Sequence, residues 1–347
     1  MLLYKEYVTI QSIIVHRIGN KASQESSYFS KAPLVAAEEV NDLLISYFLN
    51  AFKSEEYYHF FHDTDLKYNE VYDFVSKIFA DENSIYNMSM ELAKHLYERS
   101  NHPNIKSGEF YVVYFKDCVI GSKTVDAVGL FKSENKETFL KIYPAGGSFE
   151  IESQQGVNIN KLDKGCLIFN MDKANGYVVA VVDNTNKGVE ARYWIDDFLH
   201  LKQRQDEYYN TQNVMSMCKT FVAKELPKFG ASKADQVEVI NESMKFFKEK
   251  EIFDINDFGN KVLRDPEVIQ GFNDFSNSYQ LESGIEIADS FAISDSAVKK
   301  QVRAYKSVIK LDKNFHIYIH GSNQYIRRGY DESAGLYYYQ LFFKEEQ

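Results

Sequence analysis

The chain lacks any apolar run of the 18 or more residues that a membrane-spanning helix requires. Its opening stretch carries Lys5 and Glu6 where a secretory leader would be apolar. A cytoplasmic protein with no membrane partner is therefore expected. Cysteine is scarce. Cys118, Cys166 and Cys218 are odd in number and about fifty residues apart, a spacing that suits neither a disulfide framework nor a zinc knuckle. Each reads as a reduced, buried thiol. Positive charge is also short, with 40 Lys and Arg against 50 Asp and Glu for a net charge of −10. That balance excludes a generally basic protein that coats DNA. Glycine motifs are missing too. Gly146-Gly147-Ser148 is not followed by the Lys-Ser/Thr of a phosphate loop, so it reads as a tight turn. No G-x-S-x-G elbow appears, and an α/β-hydrolase nucleophile has no support.

What is present suits a globular protein larger than one core. Its 347 residues are 44% apolar and 26% charged. Val8 to Ile14 reads as an opening strand, and Gly19 to Ser27 as a loop. Ser30 and Pro33 signal a helix start, and apolar residues from Leu34 to Phe52 recur at helical spacing, predicting one helix to about Lys53. Two more helices are expected over 69–79 and 84–99. Periodicity switches at Gly108 to short β-rich runs: 108–121, 123–133, 137–144, 165–171 and 176–184. With no helical pattern between them, they predict an antiparallel meander.

Near Phe198 to Gln205 the chain turns polar and helical again. Helices are expected over 208–226, stopped by Pro227, over 233–250, capped by Ser232, over 255–263, and from Asp265-Pro266 onward. Ser307 to Lys310, Phe315 to His320 and Leu336 to Phe343 are strand-like, with Tyr325 to Asp331 as the connecting turn. The fold class is α+β. Residues 1–200 form a domain of helices followed by an antiparallel sheet. Residues 201–347 form a mainly helical domain closed by a small antiparallel sheet and carrying a basic patch.

No catalytic constellation emerges. His59 and His62, beside Asp63 and Asp65, are the best metal candidates, read as lying three apart on one helix face. The H-E-x-x-H spacing and a distant third ligand are missing, so a polar helix end is the better reading. His316 and His320 alternate with Ile317 and Ile319 but have no acid partner that would make either a general base. Cys118 and Cys166 sit in apolar strands without an activating base. Glu38-Glu39 and Asp196-Asp197 are adjacent in sequence, hence on different faces. No metal and no cofactor is expected.

Charge distribution is more informative. Residues 1–200 hold 20 basic and 28 acidic side chains, net −8, and residues 201–347 hold 20 and 22, net −2. Within the second part, residues 299–328 carry Lys299, Lys300, Arg303, Lys306, Lys310, Lys313, Arg327 and Arg328 against Asp312 alone. Lys299, Arg303, Lys306 and Lys310 recur every three or four residues and would line one face of a helix reaching about Tyr305. Such a row can follow a phosphate backbone. Arg327 and Arg328, beside Asp331 and Glu332, have ion pairs within their own turn as the competing role.

The C-terminal stretch from Asn314 to Phe343, with an alternating strand, a Gly, a polar loop and an R-R-G-Y-D-E turn, resembles the closing β motif of the bacterial nucleoid-associated protein family (NdpA/YejK type). Ile10, Ile13, His16 and Arg17 match an opening I-x-x-I-x-x-H-R strand. Glu109–Phe115, Gly156–Phe169 and Phe198–Asp206 agree in order and spacing. The resemblance implies a cytoplasmic, non-enzymatic protein of the nucleoid that binds double-stranded DNA and chromosome-associated proteins. It carries over no catalytic or DNA-contact residue, so the eight basic positions rest on charge alone. The leading expectation is sequence-tolerant electrostatic DNA binding. An adaptor that reaches the nucleoid by binding a topoisomerase or RNA polymerase is the alternative, and a hydrolase using His59 and His62 is a third. A homodimer is compatible with all three.

Overall fold

The computed structural model describes residues 3–4, 7–185, 193–302, 305, 308–319 and 325–345. The chain divides into two compact units, Met1–Arg204 and Gln205–Gln347. No helix among the described residues is long and apolar enough to cross a membrane.

The first unit is built on an antiparallel sheet. Its elements in chain order are β1 (Leu3–Tyr4), β2 (Thr9–Ile18), α1 (Asn41–Leu49), β3 (Tyr57–Phe60), α2 (Glu70–Ala80), α3 (Ile85–Arg99), β4 (Gly108–Ile120), β5 (Lys123–Ser133), β6 (Glu137–Ala145), β7 (Ser148–Gly156), β8 (Lys164–Phe169), β9 (Val178–Asp183) and β10 (Leu201–Gln203). The sheet runs β1-β4-β5-β8-β9-β3-β10, with β2 also paired to β4. Strand β4 shows why these runs are so apolar. Phe110, Val112 and Tyr114 pack with α2 and α3, while Val113 and Phe115 pack with α1. Side chains alternate between faces along a strand, so a sheet covered on both sides takes apolar residues at successive positions.

Helices α2 and α3 follow their expected spans. Asn69 starts α2 by accepting the Tyr72 N–H at 2.9 Å, and Val71, Val75 and Ile78 form its buried stripe. The helix expected from Ser30 to Lys53 is shorter. Only a 3-10 turn at Glu38–Val40 and α1 are helical. The preceding stretch is drawn to β2 instead: Tyr28 and Arg17 exchange both backbone hydrogen bonds, and the Leu34 N–H donates to Ile13. Once the backbone is paired there, Val35 is left 95% exposed. Three further expectations change. The segment around His59 is strand β3, not a helix end. The return to helix near Phe198 is a π-helix over Tyr193–Leu199, followed by β10, which pairs with β3. An unanticipated strand, β7, pairs with β6 across Gly146-Gly147. Both glycines have positive φ, at 57° and 84°, as a two-residue turn matched to the twist of a hairpin requires.

The second unit comprises α4 (Glu207–Lys224), α5 (Lys233–Glu249), β11 (Ile252–Asp254), α6 (Ile255–Phe258), α7 (Pro266–Ser283), β12 (Ser290–Ala292), α8 (Asp295–Gln301), β13 (Val308–Leu311), β14 (Phe315–Tyr318), β15 (Ile326–Asp331) and β16 (Leu336–Leu341). Helix starts obey local chemistry. Asp206 and Asp265 cap α4 and α7, and Ser232 with Asp235 forms a capping box on α5. The core is aromatic, with Phe221, Phe246, Phe247, Phe253, Phe258 and Phe272 in one cluster. Two hairpins, β13–β14 and β15–β16, close the unit. Ile309, Ile319, Ile326 and Tyr339 from these hairpins pack with Ala234 and Val237 of α5. The expected turn over Tyr325 to Asp331 is mostly strand β15. The reversal comes later, where the Asp331 carboxylate accepts the N–H groups of Ser333 and Ala334.

Candidate nucleic-acid interface

The cations singled out by sequence distribute over three elements. Lys299 and Lys300 lie near the end of α8, exposed. Lys310 is on β13 and Lys313 in the following turn, both exposed. Arg327 and Arg328 are on β15. Arg303 and Lys306 lie outside the described residues. The expected single helical row does not form, because α8 ends at Gln301 and Lys310 belongs to a strand. His316 is exposed on β14, and His320 also lies outside the described residues.

Tertiary packing adds cations that sequence reasoning missed. Lys310 lines a concave groove of about 310 Å³ together with Lys219 of α4 and Lys233 at the start of α5. The groove floor is Val222, Val237, Ile240 and Val308. Lys219, Lys233 and Lys310 are separated by many residues, so no sequence pattern announces the cluster. The Lys233 ammonium donates to Gln236 at 3.0 Å.

The two arginines do not bind the acids beside them. The Arg328 guanidinium sits 4.0 Å from the Tyr337 ring centre, and that of Arg327 sits 5.3 Å from Phe342. Strand geometry explains this. Residues alternate sides, and the β15–β16 register sets Arg328 against Tyr339 and Arg327 against Gln340. Each ring two positions along therefore shares its arginine's face. Asp331 is committed to the turn, where Ser333 Oγ and two backbone N–H groups hold its carboxyl below the ordinary value. Lys300 is placed 5.5 Å from the Tyr208 ring.

Several cations elsewhere are held in ion pairs. In the first unit Lys21, Lys77, Lys94, Lys116, Lys136 and Lys161 each hold a carboxylate. Lys132 and Lys164 are fully buried and paired with Glu134 and Asp183. Burial lowers the Lys132 ammonium below its ordinary value, against the opposing pull of Glu134. In the second unit Lys228, Lys250, Lys261 and Arg264 pair with Glu225, Asp257 and Glu242. By contrast, Lys219, Lys233, Lys299, Lys310, Lys313, Arg327 and Arg328 form no ion pair with another described residue. Their charge is directed at solvent.

The other candidate chemistries separate in space. His59 is half-buried in β3, so its three-residue spacing from His62 no longer puts both on one helix face. Burial, then Arg204 and Lys202, lower the His59 pKa. His62 Nδ1 accepts the Thr64 N–H, and Asp65 caps the next turn. No group of three or more His, Cys, Asp or Glu side chains suited to a metal occurs among the described residues. Cys118, Cys166 and Cys218 are all buried. Burial pushes the Cys118 thiol up to about 12, and raises Cys166 and Cys218 as well.

Comparison with curated proteins finds no match. Comparison with protein families matches residues 14–334 to the family described as nucleoid-associated protein YejK, a span that runs from within β2 through the rest of the central sheet and the aromatic helical core to the R-R-G-Y-D-E strand. The chain belongs to the nucleoid-associated protein YejK family.

Proposed function

We propose that this protein binds double-stranded DNA in the cytoplasmic nucleoid, without catalysis, through the cations of its second unit. The carrying observation is the gathering of cations without carboxylate partners. Lys219, Lys233 and Lys310 line one groove, and Lys299, Lys313, Arg327 and Arg328 likewise hold no carboxylate among the described residues, in a segment with eight cations against Asp312 alone. A cation without an internal partner retains its full attraction for phosphate, and each phosphate it neutralises releases condensed counterion. Contacts of this kind fix position on the duplex but carry no base information. Binding is therefore sequence-tolerant. The net charge of −10 keeps the rest of the surface from acting as a general polyanion trap.

A second reading has its own support. The β15–β16 hairpin exposes Tyr330, Tyr337, Tyr338 and Leu336 next to Arg327 and Arg328. Tyr and Arg are the residues that dominate protein–protein hot spots, which suits an adaptor bound to a chromosome-associated enzyme.

The variant Lys219→Glu, Lys299→Glu, Lys310→Glu, Lys313→Glu separates the two. Direct DNA binding weakens alike on unrelated duplexes, with circular dichroism unchanged because exposed charges contribute less than about 1 kcal/mol each. Unchanged affinity with an intact fold leaves the adaptor as the better reading.

A further inference from the structure

The ribbon of β6 and β7 pairs only with itself among the described residues. Its register sorts its side chains cleanly. One face carries Leu140, Ile142, Pro144, Phe149 and Ile151, with no charged residue on it. The opposite face carries Phe139 with Lys141, Tyr143, Glu150 and Glu152, and its polar groups bond to one another: the Tyr143 hydroxyl donates to Glu152 at 2.7 Å and lies 3.1 Å from Glu150. The apolar face is open to water, with Leu140 64%, Ile142 61%, Phe149 70% and Ile151 64% exposed. A lone two-stranded ribbon is marginally stable in water, and an apolar face of this kind marks an interaction site.

We infer that this face is covered by the same face of a second copy of the chain, forming a two-fold dimer. Charge removes the anionic alternatives. The ribbon holds Lys141 against Glu137, Glu150 and Glu152, so nucleic acid and anionic lipid are repelled along its length. Two copies of the uncharged face meet with no like-charge penalty, despite the net charge of −10.

Shape favours self-pairing as well. The central row is Ile142 opposite Ile151. On one side Leu140 lies opposite Ser153, and on the other Pro144 lies opposite Phe149. A two-fold axis through the central row lays the bulky Pro144–Phe149 row of one copy over the Leu140–Ser153 row of the other, where the serine leaves room. Each residue set thereby meets its complement, as an isologous interface requires. The faces would stack about 10 Å apart, the ordinary separation of packed sheets. At the exposures given, the four largest side chains present roughly 400–500 Å² per copy, near the lower end of specific interfaces. The dimer is thus expected to be reversible. It would bring two DNA-binding surfaces into one assembly, raising avidity for a long duplex.

Sedimentation velocity on the full chain over about 1 to 200 μM tests this. The expected result is a monomer–dimer equilibrium. Ile142→Asp combined with Ile151→Asp should weaken it at least about 100-fold by setting charges against the opposing face. Glu152→Gln, on the solvated face, should leave it unchanged. Because a ribbon carrying two aspartates can simply unfold, a positive readout runs beside it. Ile142→Cys treated with a short bismaleimide should give a covalent dimer, the natural cysteines being buried. A wild-type chain that stays monomeric throughout, a dimer that survives the Asp pair, or an Ile142→Cys chain that fails to cross-link overturns the inference.

Discussion

His16 should make the first unit sensitive to mild acid. It is 1% exposed on β2, with Nδ1 accepting the Ser30 N–H at 3.1 Å and Nε2 lying 3.0 Å from Ser89 Oγ. Ser89 in turn donates to the Tyr86 carbonyl, so Nε2 must carry the proton and the ring is neutral. Burial lowers the His16 pKa from 6.5 to about 4. An unfolded chain takes up a proton at this residue near pH 6.5, whereas the folded one resists until about pH 4. The stability contribution is therefore whole above pH 6.5 and is lost as pH falls toward 4. The full difference corresponds to about 3 kcal/mol, of which about 2.5 kcal/mol falls between pH 7.5 and 4.5. Trp194 is the chain's single tryptophan and is buried in the same cluster as Ile14 and Ile18. Its fluorescence in urea titrations reports the first unit alone. His16→Gln removes the titration, and carboxylates common to both proteins cancel in the comparison. The stability gap between wild type and variant should shrink by about 2.5 kcal/mol from pH 7.5 to 4.5. A gap that stays constant with pH would refute a neutral, proton-resistant His16.

The remaining predictions concern packing and organisation. Native Cys118, Cys166 and Cys218 should resist thiol reagents at neutral pH and react only in denaturant, since all three are buried with raised pKa values; fast labelling of any of them would contradict this. Lys164→Met should cost about 1–3 kcal/mol by Trp194 fluorescence, because it strips both 2.8 Å bonds from the half-buried Asp183 carboxylate and leaves it the Thr185 N–H and hydroxyl; a neutral result would mean that the pair is solvated. Limited proteolysis should cut near Arg204–Gln205, the division between the two units, and release two stable fragments. Resistance as a single body would count against independent domains.

Local chemistry was readable in the sequence, and tertiary pairing was not. Ser232 and Asp265-Pro266 announced α5 and α7 because a helix-start signal acts within four residues of itself. Strands β2, β4, β5, β8 and β9 of the central sheet were legible because β-rich runs bounded by turn residues are equally local signals, whereas β3 and β10, which pair with each other, were not. The stretch after Pro33 misled because its helical spacing is real, while its backbone partner is the distant β2. β15 was hidden by Gly329, Asp331 and their polar neighbours, which look like a turn until Tyr337 to Tyr339 are placed alongside. The candidate interface followed the same rule. The charge reversal over 299–328 stood out by counting. Lys219 and Lys233 joined it only through the packing of β13 with α4 and α5.

The most direct test of DNA binding through unpaired cations is the salt dependence of affinity for a fluorescent duplex. If five of these side chains touch phosphate, log affinity should fall against log salt with a slope of about −4.5, on any sequence. A slope near zero, or no binding even at low salt, would contradict the account.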